Sequence, residues 1–371
     1  MSFPPRDRHT SMTGIGQTIT GTEGGAMSKV ETRHEATESA AVVAAVKAGD
    51  EAAFSELVDR HGRELQVHCY RMLGSLDDAE DLVQETLLRA WRRRETFEGR
   101  SSFRAWLYRI ATNACLDALA RRPRRPTAPA PGDHDVPPSA SFEVTWLQPY
   151  PDRLLEGAAP SEAEPDAVVV AKETIELAFM VAIQHIPPQP RAVLILRDVL
   201  GWRAKETAEL LGMSVASVNS ALQRARAALK KHLPEPRVEW SPDSAASEEE
   251  RALLDRYVDA TERADADAFV ELMHEDARFS MPPQPEVWVG REAIVAAWKE
   301  GGIGTPEWRD FRCRLTRANM QPAVACYRRA PGASEYRPLA LDVLRVEAGK
   351  IADIVTFPAA VFPAFGLPRT V

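Results

Sequence analysis

The segment Trp202–Leu229 constrains the fold of this chain more than any other part of its sequence. Ala208, Gly212 and Val218 stand at the spacing of a helix-turn-helix. In that motif a small residue lets two helices approach, a glycine takes the turn and an apolar residue closes the core. Ser214 is a good N-cap for the second helix. The pattern therefore predicts a helix pair whose second member can enter the major groove of DNA.

The second helix of this pair would present a polar and basic face to DNA. The alternative is a basic amphipathic helix that only packs against a neighbour. The turn, the cap and the basic face coincide in one segment, which favours DNA binding. The residues that we expect to contact bases or phosphates are Ser217, Asn219, Ser220, Gln223, Arg224 and Arg226.

The N-terminal half of the chain has the periodicity of helices. Apolar residues recur at three- and four-residue spacing from about residue 40 to residue 122. One stripe includes Leu76, Val83 and Trp91, and a second helix is predicted from about Ser101 to a stop at Pro123. Taken alone, the acidic stretch Asp78–Trp91 would usually be a solvated helix face.

Charge is segregated along the chain. The net charge is −8, yet Arg89–Arg125 holds eleven Arg against three acids. The segment Arg197–His232 holds seven Lys or Arg against three acids. Basic islands within an acidic chain are expected when only certain surfaces meet phosphates.

Three segments in this order resemble a known family. DAEDLVQETLLRAW, then FEGRSSFRAWLYRIATNACLDALARR, then the helix-turn-helix, resemble the sigma-70 family of RNA polymerase sigma factors, extracytoplasmic-function (ECF) group. The first two are similar to sigma region 2 and the third to region 4. The stretch from about Ser247 is similar to SnoaL-like domains, which share the cone-shaped fold of nuclear transport factor 2. Together they resemble the actinobacterial sigma factor G group.

The resemblance and the periodicities predict a mainly α chain with two helical sigma domains and a C-terminal α+β cone domain. The apolar island TWLQPYPDRLL in the first linker resembles a tryptophan-proline motif of fused sigma factors. The expected division is a disordered extension over 1–39, region 2 over 40–125, a linker over 126–165, region 4 over 166–233, a linker over 234–247 and the SnoaL-like domain over 248–371.

The α+β character of the last part comes from short β-prone segments that follow a predicted helix at about Glu248–Ala264. These segments are Ala277–Met281, Phe311–Leu315, Ala323–Tyr327, Leu339–Val346 and Ile351–Thr356.

The resemblance implies that the acidic helix docks on the β′ subunit of core polymerase. Its carboxylates would meet basic side chains while an apolar position completes the contact. The residues expected to make it are Asp78, Asp81, Gln84, Glu85 and Leu88.

The resemblance also implies that the next helix opens promoter DNA by holding a flipped base of the −10 element. Such a pocket needs stacking and hydrogen-bonding groups. Phe97 and Asn113 match the positions that hold this base in the family, although an aromatic residue such as Trp106 is as often core. The further −10 contacts expected are Ser101, Ser102, Trp106, Arg109, Arg121 and Arg122.

The helix-turn-helix departs from the family pattern at two positions. Many members carry Arg where this chain has Asn219 and Ala221. Arg is the usual bidentate reader of guanine, so the −35 preference of relatives does not transfer to this chain.

The C-terminal domain leaves three roles open. SnoaL-like enzymes are cyclases that use Asp and His as acid and base. The alternatives are binding of a small ligand and regulation through protein contacts, for which the apolar segment Phe357–Pro368 is suited. We expect no catalysis and no cofactor. The residues that could line a cavity are Tyr257, His274, Asp276, Trp288, Trp298 and Trp308.

Several classes are disfavoured by what the sequence lacks. The four cysteines are far apart with no C-x-x-C pair, so no zinc site is predicted. No apolar run reaches the length of a membrane span, and the first 26 residues resemble neither a signal peptide nor a packed domain. We therefore expect a cytoplasmic protein with no membrane contact, for which Met27 is an alternative start.

The expected partners are core polymerase, through its β′ and β subunits, and promoter DNA. Two alternative functions are a helix-turn-helix regulator that acts without polymerase and a SnoaL-like cyclase with a DNA-binding adaptor. The Asp78–Trp91 helix favours the sigma factor over both.

Overall fold

The computed structural model describes residues 41–97, 102–121, 146–155, 174–233, 248–284 and 286–371. The expectations about the N-terminal extension, the alternative start at Met27, the linker over 234–247, Ser101 and Arg122 lie outside these residues.

The N-terminal unit is a helical bundle in which capping residues set where its helices begin and end. Asp50 caps the helix that begins at Glu51 by accepting from the backbone N–H groups of Ala52 and Ala53. Gly74 ends that helix at a φ of 72°, and Ser75 caps the next one. The helices are α1 (Glu51–Leu73), α2 (Leu76–Arg92) and α3 (Phe103–Arg121), with a 3-10 turn at Arg94–Thr96.

The second unit contains the predicted helix-turn-helix. Gly212 ends its first helix at a φ of 63°, and the hydroxyl of Ser214 accepts from the backbone N–H of Ser217. Ala208 and Val218 are buried between the two helices, as the spacing predicts. The helices are α4 (Leu177–Gln184), α5 (Pro188–Leu194) with a π-helical turn at Ile195–Val199, α6 (Ala204–Leu211) and α7 (Val215–His232).

The third unit is the α+β domain. Its sheet has the order β2-β1-β6-β5-β4-β3, in which only the β1–β6 pair is parallel. All five predicted β segments overlap strands, whereas β2 was not predicted because three residues are too few to show alternation. The elements are α8 (Glu248–Glu262), α9 (Ala268–Leu272), α10 (Arg291–Glu300), β1 (Met273–Ser280), β2 (Val287–Val289), β3 (Phe311–Ala318), β4 (Gln321–Arg328), β5 (Arg337–Glu347), β6 (Lys350–Pro358) and a 3-10 helix at Ala359–Phe365.

Both faces of this sheet are covered. Side chains alternate between the faces of a strand, so Val324 and Leu344 pack on the domain's own helices. Their neighbours Ala325 and Val343 belong to the same contiguous apolar core as the two helical units. The predicted fold class, mainly α with a C-terminal α+β domain, is confirmed, and the outer face of the sheet joins the three units together.

Within the described ranges, no helix is both long enough and apolar enough to cross a bilayer. The same residues contain no cluster of three or more His, Cys, Asp or Glu side chains able to hold a metal ion.

Gly74 lies where the bundle, the linker and the second unit meet. A Cβ on this residue would stand 3.1 Å from Cδ of Gln184 and 3.3 Å from Nε1 of Trp146. Gly212 has a similar φ, but a Cβ there would meet nothing within 4 Å. The two glycines therefore separate backbone strain from steric crowding.

We expect Gly74→Ala to lower the free energy of unfolding by about 2–4 kcal/mol, because left-handed strain and crowding add. Gly212→Ala is the control and should cost about 1–2 kcal/mol, which is the strain alone. Urea unfolding followed by circular dichroism measures both. Equal costs would show that the junction at Gly74 is not tightly packed.

Candidate functional site

One face of α2 is open to solvent and carries most of the predicted polymerase contacts. Asp81 and Gln84 are exposed, and the side chain of Leu88 is 52% exposed. Asp78 and Glu85 are half-buried, and Glu85 accepts from Nε of Arg89 at 2.7 Å. Spacings of three, four and seven residues place these side chains on one side of the helix. The face is acidic with an apolar residue at its C-terminal end.

The linker island fixes the start of α2. The side chain of Gln148 accepts from the Ser75 hydroxyl and the Asp77 backbone N–H, both at 3.0 Å, and donates to the Asp77 carboxylate at 2.7 Å. The indole N–H of Trp146 donates to the carbonyl of Leu73 at 3.0 Å. The tryptophan-proline motif therefore satisfies polar groups at the α1–α2 turn that would otherwise lack partners.

Helix α3 divides the predicted −10 contacts into two groups. Arg109 and Asn113 are exposed one turn apart, and Ser102 and Arg121 are also exposed. Their DNA contacts stay predictions. These four polar side chains are accessible to solvent in the present arrangement.

The two aromatic members of the −10 set are buried. Phe97 and Trp106 are each 4% exposed, with ring centroids 5.3 Å apart, and Phe103 completes the cluster. Trp106 therefore lies in the core here, which is the alternative that its helical spacing allowed.

The predicted −35 contacts all lie on the exposed face of α7: Ser217, Asn219, Ser220, Gln223, Arg224 and Arg226. Arg226 forms a bidentate salt bridge with Asp198, with N–O distances of 2.8 and 2.7 Å. Ala221, where many family members carry Arg, is buried. The side chain at that position therefore packs in the helical core of this chain.

The two helical units pack directly on each other through α3 and α6. The rings of Tyr108 and Trp202 lie 5.3 Å apart, and the guanidinium of Arg104 lies 5.0 Å from the Tyr108 ring centroid. Arg104 also donates to Glu64 at 2.7 Å. Burial acts to raise the pKa of Glu64. The hydrogen bond with His61 and the positive charge of Arg104 outweigh burial, so the pKa of Glu64 lies below its ordinary value.

The turn between β3 and β4 enters the junction of all three units. Asn319 and Met320 have φ values of 55° and 60°, a conformation that Asn tolerates better than most residues. The amide nitrogen of Asn319 donates to the Tyr70 hydroxyl at 2.9 Å and to the carbonyl of Ile175 at 2.6 Å. Its amide oxygen accepts from the backbone N–H of Tyr150 at 2.7 Å. One side chain thus contacts the bundle, the linker and the second unit.

Backbone and ionic contacts surround this amide. The backbone N–H of Asn319 donates to the Tyr150 carbonyl at 2.8 Å, and Pro151 forms a β-bridge with Ala318. Asp152 accepts from the backbone N–H of Met320 at 2.8 Å. The linker therefore pairs with the end of β3 through one isolated bridge, and a main-chain hydrogen bond from Asn319 holds it to the C-terminal domain.

The inner side of the sheet borders a cavity of about 360 Å³ that is partly open to solvent. Of the cavity residues predicted from sequence, Tyr257, Trp298 and Trp308 line it. Among the described residues, the lining does not include His274, which bonds to the Glu347 carbonyl, or the exposed Asp276. Trp288 likewise stands outside it, packed on Phe279.

The expectation that His274, Asp276 and Trp288 could line the cavity is therefore wrong. Asp342, which sequence reasoning missed, lines the cavity instead. A single Asp within a β-strand gives no local signal of such a role.

Comparison with protein families matches three parts of the chain. Residues 57–125 match Sigma-70 region 2, residues 176–229 match Sigma-70 region 4 and residues 254–354 match a SnoaL-like domain. These boundaries correspond to the bundle, the unit with the helix-turn-helix and the α+β domain.

Two sequence relatives extend the match. The chain is 43% identical over 328 residues to the ECF RNA polymerase sigma factor SigG of Mycobacterium tuberculosis (strain CDC 1551 / Oshkosh), which covers 85% of this chain and 84% of that protein. It is 33% identical over 191 residues to the ECF RNA polymerase sigma factor SigW of Bacillus subtilis (strain 168), covering 51% of this chain and 92% of that protein.

A solved structure shares the fold. The crystal structure of the Mycobacterium tuberculosis extracytoplasmic function sigma factor SigJ superimposes with a TM-score of 0.52 at 23% identity. The superposition covers 85% of this chain and 99% of that one.

We expect Asn319→Asp to loosen the contact between the C-terminal domain and the helical units. The substitution keeps shape and tolerance of a positive φ, but it places an acceptor against the Tyr70 hydroxyl and the Ile175 carbonyl. Small-angle X-ray scattering should show a larger radius of gyration. Asn113→Asp, the same change at an exposed site, is the control and should leave it unchanged. Equal radii for both variants and the parent would contradict the role of Asn319.

Proposed function

The chain belongs to the ECF sigma factors of RNA polymerase, and from this premise we propose how its three units divide the work of transcription initiation. The N-terminal bundle binds core polymerase through α2 and the −10 element through α3. The helix-turn-helix binds the −35 element through α7. The C-terminal domain holds both helical units in a closed arrangement that must open before both elements can be bound.

The state of α2 supports binding of core polymerase. On its acidic face Asp81, Gln84 and Leu88 are exposed to solvent, while its opposite face packs in the bundle through Ala79 and Ala90. An exposed leucine bordered by carboxylates suits a partner surface that offers an apolar pocket with basic side chains around it. We expect the β′ subunit to provide that surface and the β subunit to contact the second unit.

The proposal of a closed arrangement depends on the packing of α3 against α6. The names of the −10 and −35 elements place them about 25 base pairs apart, or roughly 85 Å at 3.4 Å per base pair. Helices of the length of α3 and α7 extend less than about 30 Å, so two recognition faces on packed units lie far closer than that. Both elements can be bound only after α6 leaves α3.

Base capture requires a second change. The polar residues Arg109 and Asn113 are already exposed for contact with the −10 strand. The aromatic groups expected to stack on the flipped base, Phe97 and Trp106, are buried. We therefore propose that opening of the aromatic cluster accompanies DNA melting, because stacking needs an accessible ring face.

The junction at Asn319 gives the C-terminal domain its control over the closed arrangement. Each of its hydrogen bonds is worth about 0.5–1.5 kcal/mol, so the junction is strong enough to bias an equilibrium and weak enough to be reversed. Coupling of about 1–3 kcal/mol changes a populated state by roughly five- to 150-fold. A sigma factor binds polymerase and DNA and catalyses no reaction itself. In this proposal the C-terminal domain acts by holding the two helical units together and by releasing them.

The cavity of the C-terminal domain is where a small ligand would act. It shares Pro282, Pro283, Phe357 and Pro358 with a groove that borders the start of α2 and the linker island. Movement of this shared wall would change the contact between the domain and α2. A ligand that prefers one position of the wall would therefore bias the arrangement.

The closed arrangement is tested by releasing it in two ways. A chain truncated after Pro236 and the full chain with Asn319→Asp should both raise run-off transcription with core polymerase by about five- to 150-fold. Leu315→Arg, an exposed change on the same hairpin, should transcribe like the parent. If both releasing variants also transcribe like the parent, the C-terminal domain does not control this sigma factor.

Binding of core polymerase should depend on the apolar residue of α2. Leu88→Arg should reduce affinity for core at least about tenfold, because an arginine there meets a basic surface and loses the apolar contact. Leu315→Arg is matched in exposure, 50% against 52%, and should bind normally. Fluorescence anisotropy of labelled protein titrated with core polymerase measures both. Normal affinity of Leu88→Arg would remove α2 from the polymerase interface.

A further inference from the structure

Asp342 is a carboxylate within the C-terminal domain, and no basic side chain among the described residues pairs with it. The side chain lies on the inner face of β5 and lines the cavity, and it keeps accessible surface. The groups that bond to it are neutral: the hydroxyls of Thr356 and Tyr257 donate at 2.6 and 3.0 Å, and the thiol of Cys326 donates at 3.6 Å. Its negative charge is solvated by dipoles only.

The hydrogen-bond geometry around Asp342 suits an ionised carboxylate. An oxygen–oxygen distance of 2.6 Å falls in the range of hydroxyl donors to a charged acceptor. Burial leaves the pKa of Asp342 above its ordinary value, although the bonds from Thr356, Tyr257 and Cys326 act to lower it, and a cation beside it would lower it further. Burial also raises the pKa of Tyr257, so the phenol stays a donor.

The carboxylate has room for another donor. Two oxygens offer about four lone-pair sites, and Oδ1 accepts from Thr356 while Oδ2 accepts from Tyr257 and weakly from Cys326. The accessible surface of Asp342 faces the cavity, so a fourth donor would have to come from a molecule within it. An uncompensated charge in an apolar enclosure favours a partner of opposite charge.

The remaining walls select an apolar and ring-bearing body. The aromatic residues around the cavity include Tyr257, Phe269, Phe279, Trp298, Trp308 and Phe311. Aromatic faces attract planar rings and also attract cations through their quadrupoles. A volume of about 360 Å³ holds a molecule of one to three rings.

We propose that the cavity binds a small aromatic or alicyclic amine in its cationic form, whose ammonium N–H donates to Asp342 while its rings pack on the aromatic walls. An anion of the same shape is excluded, because it would bring a second negative charge beside a buried carboxylate. A neutral analogue binds through its rings and one hydrogen bond alone.

Strand β6 connects the cavity to the core shared with the helical units. The effect of a ligand on that core rests on the proposed function. Thr356 bonds to Asp342 within the cavity, and the adjacent Phe357 is buried in the core shared with the helical units. Consecutive residues of a strand point to opposite faces, so β6 carries one group on each side of the sheet. An amine that draws Asp342 and Thr356 together shifts the strand that holds Phe357.

Three indole compounds of nearly equal shape test the ligand class. Tryptamine is a cation, tryptophol is neutral and indole-3-acetate is an anion. By isothermal titration of the full chain, tryptamine should bind at least about tenfold tighter than tryptophol, and indole-3-acetate weakest of the three. Equal affinities, the reverse order or no binding of tryptamine at millimolar concentration would overturn the proposal.

Two variants locate the site. Asp342→Asn keeps the shape and removes the charge, so the preference for tryptamine over tryptophol should fall below about threefold. Ala340→Phe leaves the carboxylate in place and fills the cavity from the same face of β5, so all three compounds should bind more weakly. An unchanged preference in Asp342→Asn overturns the proposal. Should that variant not fold, the order of the three compounds on the parent chain decides.

The link to transcription is measured separately. Tryptamine should change run-off transcription by the parent chain and have no effect on Asn319→Asp, in which the junction is already released. Binding without an effect on transcription would retain the ligand site and refute its coupling to the closed arrangement. If the closed arrangement itself is wrong, the truncated chain and Asn319→Asp will transcribe like the parent in the absence of ligand. That result is distinguishable from a failure of the ligand site.

Discussion

The amide of Asn319 is the contact on which the arrangement of this protein depends. A buried amide must find partners for both its nitrogen and its oxygen, and here they come from Tyr70, Ile175 and the backbone of Tyr150. These partners belong to the bundle, the second unit and the linker. The three segments can satisfy the amide only when they meet at one place, so the same requirement that stabilises the junction also fixes the closed arrangement.

This arrangement affects the two kinds of partner differently. The face of α2 with Leu88 points to solvent, so the surface proposed for polymerase is available before any opening. In the proposed mechanism, recognition of both promoter elements requires α3 and α6 to separate, which breaks the contact of Tyr108 with Trp202. Binding of core polymerase would then come first and DNA second, with part of the polymerase binding energy used to open the sigma factor.

The sheet of the C-terminal domain connects a cavity to that contact because both of its faces are buried. Asp342 and Thr356 face the cavity on one side, while Val343 and Phe357 join the core of the helical units on the other. Strands transmit a shift directly from one face to the other, since neighbouring residues share a backbone. In the proposed mechanism, a ligand in the cavity therefore acts on the helical units through the sheet itself.

The sequence by itself determined the helices, the turn at Gly212, most strands and the exposed face of α7, because periodic burial and capping are local patterns. It could not show that Phe97 and Ala221 are buried, or that Asn319 and Asp342 are the polar residues with most consequence. Those outcomes depend on which distant groups meet, and one Asn or Asp in a strand or turn has no periodicity to reveal its partners. Only the tertiary structure brought residues from positions 70, 150, 175 and 319 to one amide, because hydrogen bonds between units are decided by packing.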